Sequence, residues 1–175
     1  GRLLALPLDG AATVDETAAF ALRIRISPSA PELDISSGWS QVGAQLVAPG
    51  HHAVDLKHAS APVDLRVHTL TDGTSVIKRW LEVRNTGSTP LAITGLAPWC
   101  ANLWRAADNI SIGYTTREHY PWEGWFEWRL LAAPYDEIRQ SNGLSYSHPM
   151  FVLRNDSSGE FLIAQLGWPA NRRFE

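Results

Sequence analysis

Apolar and polar residues alternate with a period of two along much of this 175-residue chain. Phe20-Ala21-Leu22-Arg23-Ile24-Arg25-Ile26 puts Phe20, Leu22, Ile24 and Ile26 on one side and both arginines on the other, as in a strand with one buried face. Val63-Asp64-Leu65-Arg66-Val67-His68-Thr69-Leu70 repeats the pattern, with Val63, Leu65 and Val67 expected inside and Asp64 and Arg66 outside. Thr71-Asp72-Gly73-Thr74 then supplies a turn, because Asp-Gly tolerates the positive φ of hairpins. Val76-Ile77-Lys78-Arg79-Trp80-Leu81-Glu82-Val83-Arg84 reads as the returning strand, and Asn85-Thr86-Gly87-Ser88-Thr89-Pro90 breaks it before Leu91-Ala92-Ile93-Thr94 resumes. Further strands are expected at residues 3–8, 41–48, 53–58, 126–131, 150–154 and 161–166. Short strands separated by turn chemistry predict an all-β fold, a sandwich or barrel, with under about a tenth of the residues in helix. The only helical candidate is residues 101–107. Residues 34–38 and 97–111 are weakly patterned and are expected as loops, the kind of segment that often carries function.

Composition narrows the classes. The length suits one domain spanning residues 1–175 with a substantial core. Hydrophobic residues at 45% against 19% charged exclude a disordered chain. The net charge of −3 comes with scattered Lys and Arg, so no nucleic-acid partner is expected. No run approaches eighteen apolar residues, and no membrane partner is expected. Cys100 is the only cysteine, which removes intrachain disulfides and cysteine-based zinc sites and suggests a small buried hydrophobe. No cofactor is implied. This is compatible with a cytoplasmic or an exported bacterial protein. The start, Gly1-Arg2-Leu3-Leu4, carries no signal-peptide pattern. The sequons at Asn109 and Asn155 are read as chance matches.

The densest candidate chemistry is aromatic. Five of the eight tryptophans fall between Trp99 and Trp128, and the core of the cluster is Tyr120-Pro121-Trp122-Glu123-Gly124-Trp125-Phe126-Glu127-Trp128-Arg129. Indoles with acidic neighbours suit a surface that stacks sugar faces or aromatic-rich protein partners, whereas Trp is also a large core-filler. Pro121, Gly124 and the intervening charges fit a buried strand or helix poorly. On a strand Trp122, Phe126 and Trp128 share one face and Glu123, Trp125 and Glu127 the other, with Trp125 expected to be the most exposed ring. Trp122, Glu123, Trp125 and His119 are therefore the candidate substrate-binding residues. His51-His52 is a poor metal pair, since neighbours on a strand point to opposite faces. His148 and the carboxylates Glu118, Glu123 and Glu127 add titratable groups, but no convergent catalytic set is visible, and no nucleophile elbow, phosphate loop or His-Glu-x-x-His run occurs.

Several segments together resemble the family 36 (melibiase-type) α-galactosidases. They are Ser75-Val76-Ile77-Lys78-Arg79-Trp80-Leu81-Glu82-Val83-Arg84-Asn85-Thr86-Gly87-Ser88-Thr89-Pro90-Leu91, then Thr116-Arg117-Glu118-His119-Tyr120, then Ser145-Tyr146-Ser147-His148-Pro149-Met150-Phe151-Val152-Leu153 followed by Gly159-Glu160-Phe161-Leu162-Ile163-Ala164-Gln165-Leu166. The resemblance covers residues 60–175 in the family's order. It implies an antiparallel two-sheet β-supersandwich, the N-terminal domain of a longer glycoside hydrolase, of which this chain would be a fragment. The family's catalytic aspartates lie on a barrel outside this chain, so no catalytic residue is carried over. The implied role is to pack on that catalytic barrel and help shape a site for galactose-containing or related carbohydrate, with a homo-oligomer interface as a further use. The aromatic run is richer than the family pattern, which bears on galactose specificity. Two other readings remain open: a free-standing carbohydrate-binding β-sandwich stacking sugars on residues 122–128, and an aldose-epimerase-like enzyme pairing a histidine with a glutamate.

Overall fold

A computed structural model describes residues 20–100, 104, 108–116, 125–131, 138–140, 150–165, 167 and 172–174. These form antiparallel strands and contain no helix. The chain divides into two compact units, Gly1–Leu103 and Trp104–Glu175. The expected strand at residues 3–8, and all of the expected helical turns at 101–107 except Trp104, lie outside the described residues.

In the first unit, β1 (Ala21–Arg25), β2 (Leu33–Asp34) and β7 (Ala92–Ala97) form one sheet in the order β2-β1-β7. A second sheet takes β3 (Trp39–Ala48), β4 (His51–His58), β5 (Val63–Thr71) and β6 (Ile77–Asn85) in chain order, as successive hairpins. Leu22 and Ile24 from β1 meet Leu56 from β4 and Val63, Leu65 and Val67 from β5, together with Phe20 and Ile35. The unit is thus a two-sheet sandwich around one core, and the alternation of its strands is what fills it. Ile26 departs from the expected pattern, being 47% exposed. The ladder between β1 and β7 ends at Arg25, so nothing holds Ile26 to the inward face. Arg23 and Arg66 find the polar partners expected of them, Asp34 at 3.9 Å and Asp55 at 2.6 Å. Arg25 is half-buried, with its Nε buried and without a hydrogen-bond partner. Cys100 is exposed rather than buried, lying beyond the end of β7.

Turn chemistry fixes the registers. The segment at 34–38 is a braced turn as well as part of a strand: Asp34 accepts from the Ser36 amide at 2.9 Å, and Trp39 Nε1 donates to the Ile35 carbonyl at 2.6 Å. Gly50 between β3 and β4 has φ +75° and sits where an added Cβ would fall 2.0 Å from the Thr71 carbonyl oxygen. The loop between β5 and β6 contains Asp72-Gly73, as expected, with Gly73 at φ +86° and Asp72 accepting from the Thr74 amide at 3.0 Å. It extends to Val76, because Thr71 pairs with Ile77.

In the second unit, β8 (Ile110–Thr116), β9 (Trp125–Leu130), β11 (Met150–Asn155) and β12 (Phe161–Gln165) form a sheet in the order β12-β11-β8-β9. The short strands β10 (Ile138–Gln140) and β13 (Arg172–Phe174) pair separately. The central strand β8 falls partly in a stretch expected to be loop, since Ser, Gly and Thr dilute its apolar signal. The turn after β11 is organised by Asn155, 1% exposed, whose amide donates to Asp108 at 2.8 Å and accepts from the amides of Ser157 and Ser158. Its burial gives the second sequon a structural role.

Candidate functional site

The four-stranded sheet of the second unit presents two unlike faces. On one, Ile112 is buried beside half-buried Tyr114, Phe151, Leu153, Leu162 and Ala164. The other carries Phe126, Trp128 and Leu130 from β9, Ser111, Gly113 and Thr115 from β8, Val152 and Arg154 from β11, and Phe161 and Ile163 from β12, by their registers. Five of these are large and open: Phe126 42%, Trp128 40%, Leu130 58%, Phe161 60% and Ile163 67% exposed. Solvated strand faces ordinarily carry polar residues, so five large exposed hydrophobics on one sheet face are unusual.

Gly113 explains how the rings sit. A Cβ there would fall 2.7 Å from Phe126 Cζ and 3.0 Å from Trp128 Cδ2, so both rings lean over a strand position that only hydrogen can occupy. The rings meet edge to face, Phe126 to Trp128 at 5.6 Å and 77°, Trp128 to Phe161 at 6.5 Å and 72°. Arg154 places its guanidinium 4.7 Å from the Trp128 ring centroid, a cation–π contact, and donates to Asp156. Ser111 Oγ donates to the other Asp156 oxygen at 2.5 Å. These two bonds, Ser111 first, hold the Asp156 carboxyl below the usual carboxylate range. On the opposite face Arg129 lies 5.6 Å over the Tyr114 ring, and burial pushes the Tyr114 phenol up.

Of the expected substrate-binding residues, His119, Trp122 and Glu123 lie outside the described residues. Trp125 opens β9 paired with Thr116. Phe126 and Trp128 do share a face, as the alternation required, and Glu127 is on the other. The sequence reading missed the contributions of Phe161 and Ile163, which reach this face only through the β11–β12 pairing; their alternation with Leu162 and Ala164 was the available signal.

The first unit holds a second polar cluster not singled out from the sequence, on the outer face of β4, β5 and β6. His51 Nε2 is 2.9 Å from His68 Nδ1, His68 Nε2 is 3.1 Å from Glu82 Oε1, and Trp80 stacks on His68. His51 and His52 point to opposite faces, as expected of neighbours on a strand, with His52 exposed. Among the described residues no three His, Cys, Asp or Glu side chains gather as metal ligands. No helix among them is long and apolar enough to cross a membrane. Comparison with family models, with curated proteins and with solved structures finds no match for this chain.

Proposed function

We propose that the chain is a non-catalytic β-domain of a glycoside hydrolase of the α-galactosidase type, and that its open aromatic sheet face packs against the catalytic barrel of that enzyme. The observation that carries the reading is the surface formed by Phe126, Trp128, Leu130, Phe161 and Ile163. Covering such a surface is favourable by about 25 cal/mol for each Å² of apolar area removed from water. Segments that resemble the family fall on the strands β6, β11 and β12, which supports the alignment of those residues with the family's β-domain. On this reading, His119, Trp122 and Glu123, which fall between β8 and β9 in the sequence, are the candidates for sugar contact.

The edge-to-face arrangement favours docking over a free-standing sugar platform at this face. A pyranose stacks on a flat, open indole, whereas the Trp128 ring has Phe126 and Phe161 approaching at 77° and 72° and Arg154 on its π-system. The test is to clone the parent gene and assay its whole product and the 175-residue chain on p-nitrophenyl α-galactoside. Turnover by the whole product and none by the chain is the expected result. A parent product without a barrel, or turnover by the rigorously purified chain, defeats the proposal.

A further inference from the structure

The outer face of the β3-β4-β5-β6 sheet carries a preorganised aromatic platform. His68 is 5% exposed and held from three sides. Its Nε2 faces the Glu82 carboxylate at 3.1 Å, an ion-pair distance somewhat off the line of a hydrogen bond. His68 Nδ1 and His51 Nε2 are hydrogen-bonded at 2.9 Å, the donor being set by the tautomers of the two rings. The bond to His51 and the stack with Trp80 orient the imidazole plane. Trp80 lies parallel to it, 2° off, with centroids 4.6 Å apart.

Trp80 stands on β6, the edge strand of the sheet, directly opposite His68. One face of the indole is covered by the imidazole. The other has no neighbouring strand beside it, and the residue is 36% exposed. Glu82 is two residues along the same face, with a side chain 61% exposed although one oxygen is near His68. A carboxylate has acceptor capacity beyond that one contact.

We propose that Trp80 and Glu82 form a saccharide-binding subsite, in which the C–H face of a neutral pyranose stacks on the outer indole face and a ring hydroxyl donates to Glu82. A ring and a carboxylate would also suit an organic cation. Arg66 is paired with Asp55 and Arg84 lies opposite Asp64, so what opposes that alternative is Lys78, which flanks Trp80 on the same strand face. Lys78 can donate to a hydroxyl but repels a cation. The His51 ring also meets Trp80, with centroids 5.1 Å apart and planes 44° off parallel, and the exposed part of the indole is the surface left to a ligand. The subsite does not depend on the docking of the second unit or on the glycosidase reading.

The experiment is saturation-transfer NMR and calorimetry on the whole chain, with methyl α-D-galactopyranoside, methyl β-D-glucopyranoside and tetramethylammonium as probes. A single platform predicts millimolar binding of at least one glycoside. Trp80→Ala should weaken it at least about tenfold, Glu82→Gln about threefold, and Trp80→Phe should keep most of it, because a smaller ring still offers a flat face. Thermal melts monitor folding, and if Trp80→Ala fails to fold, Trp80→Phe and Glu82→Gln carry the comparison. Saturable binding that follows this order establishes the subsite. Failure of both glycosides to bind the wild-type chain, unchanged binding by Glu82→Gln, or preference for tetramethylammonium overturns it.

Discussion

Replacing Gly113 with alanine tests how the aromatic rings are seated on the second unit's sheet. The new methyl carbon would lie 2.7 Å from Phe126 Cζ, 3.0 Å from Phe126 Cε1 and 3.0 Å from Trp128 Cδ2. Carbon atoms in contact sit about 3.5–4.0 Å apart, so the rings must retreat by about 1 Å or the strand must move. Phe126 is 42% and Trp128 40% exposed, so the rings have room to swing outward while the backbone stays. If each ring re-exposes about 50 Å² at about 25 cal/mol per Å², the loss is about 2.5 kcal/mol. Alanine offsets about 0.5–1 kcal/mol of this through the smaller backbone entropy it loses in a strand. The expected net destabilisation is about 1.5–2 kcal/mol in urea unfolding followed by circular dichroism. Coupling identifies the cause: with Phe126→Ala already present, Gly113→Ala should cost at least about 1 kcal/mol less, since the 2.7 Å contact is gone. No effect of Gly113→Ala in the wild-type background, or equal effects in both, would refute rings seated over Gly113.

Other substitutions probe the first unit. Gly50→Ala should cost about 3 kcal/mol or prevent folding, because φ is +75° and the obstacle is the Thr71 carbonyl rather than a movable side chain; chemical denaturation reads this directly. Arg79, whose Nε and Nη2 are buried without partners and whose pKa burial pushes down, should become Met with a gain of about 1–2 kcal/mol, and a loss would mean that the guanidinium is satisfied. Hydrogen bonds from Arg66 hold the Asp55 carboxyl below the usual carboxylate range. A depressed carboxylate stabilises the fold above its unfolded-state pKa, and that contribution disappears as pH falls through the folded value. Asp55→Asn should therefore destabilise at neutral pH and flatten the acid limb of the stability profile, while an unchanged limb would remove the pair from the account.

The core was legible because each of its strands has one buried face. Leu22, Ile24, Val63, Leu65 and Val67 alternate with polar residues, and the structure buries all five. Strand existence was less legible where small residues fill the ladder: Gly113 carries no apolar signal, although it is the residue that lets Phe126 and Trp128 lie down. The Trp80 platform was hidden by register. A two-residue turn at Asp72-Gly73 would pair Thr71 with Thr74, and therefore His68 with Ile77. The loop runs to Val76 instead, and His68 pairs with Trp80. Shifting one strand by an odd number of residues exchanges its faces, so loop length decided which side chains met. Alternation alone does not contain that length.

The most direct test of the docking surface is hydroxyl-radical footprinting of the 175-residue chain alone and within the whole product of its parent gene. Phe126, Trp128, Leu130, Phe161 and Ile163 should label readily in the isolated chain and be strongly protected in the parent protein. Exposed Val42 and Leu46 of β3, 65% and 63% accessible, report on the other unit and serve as references there. Equal labelling of the five residues in both proteins would contradict the assignment of this face to an interface.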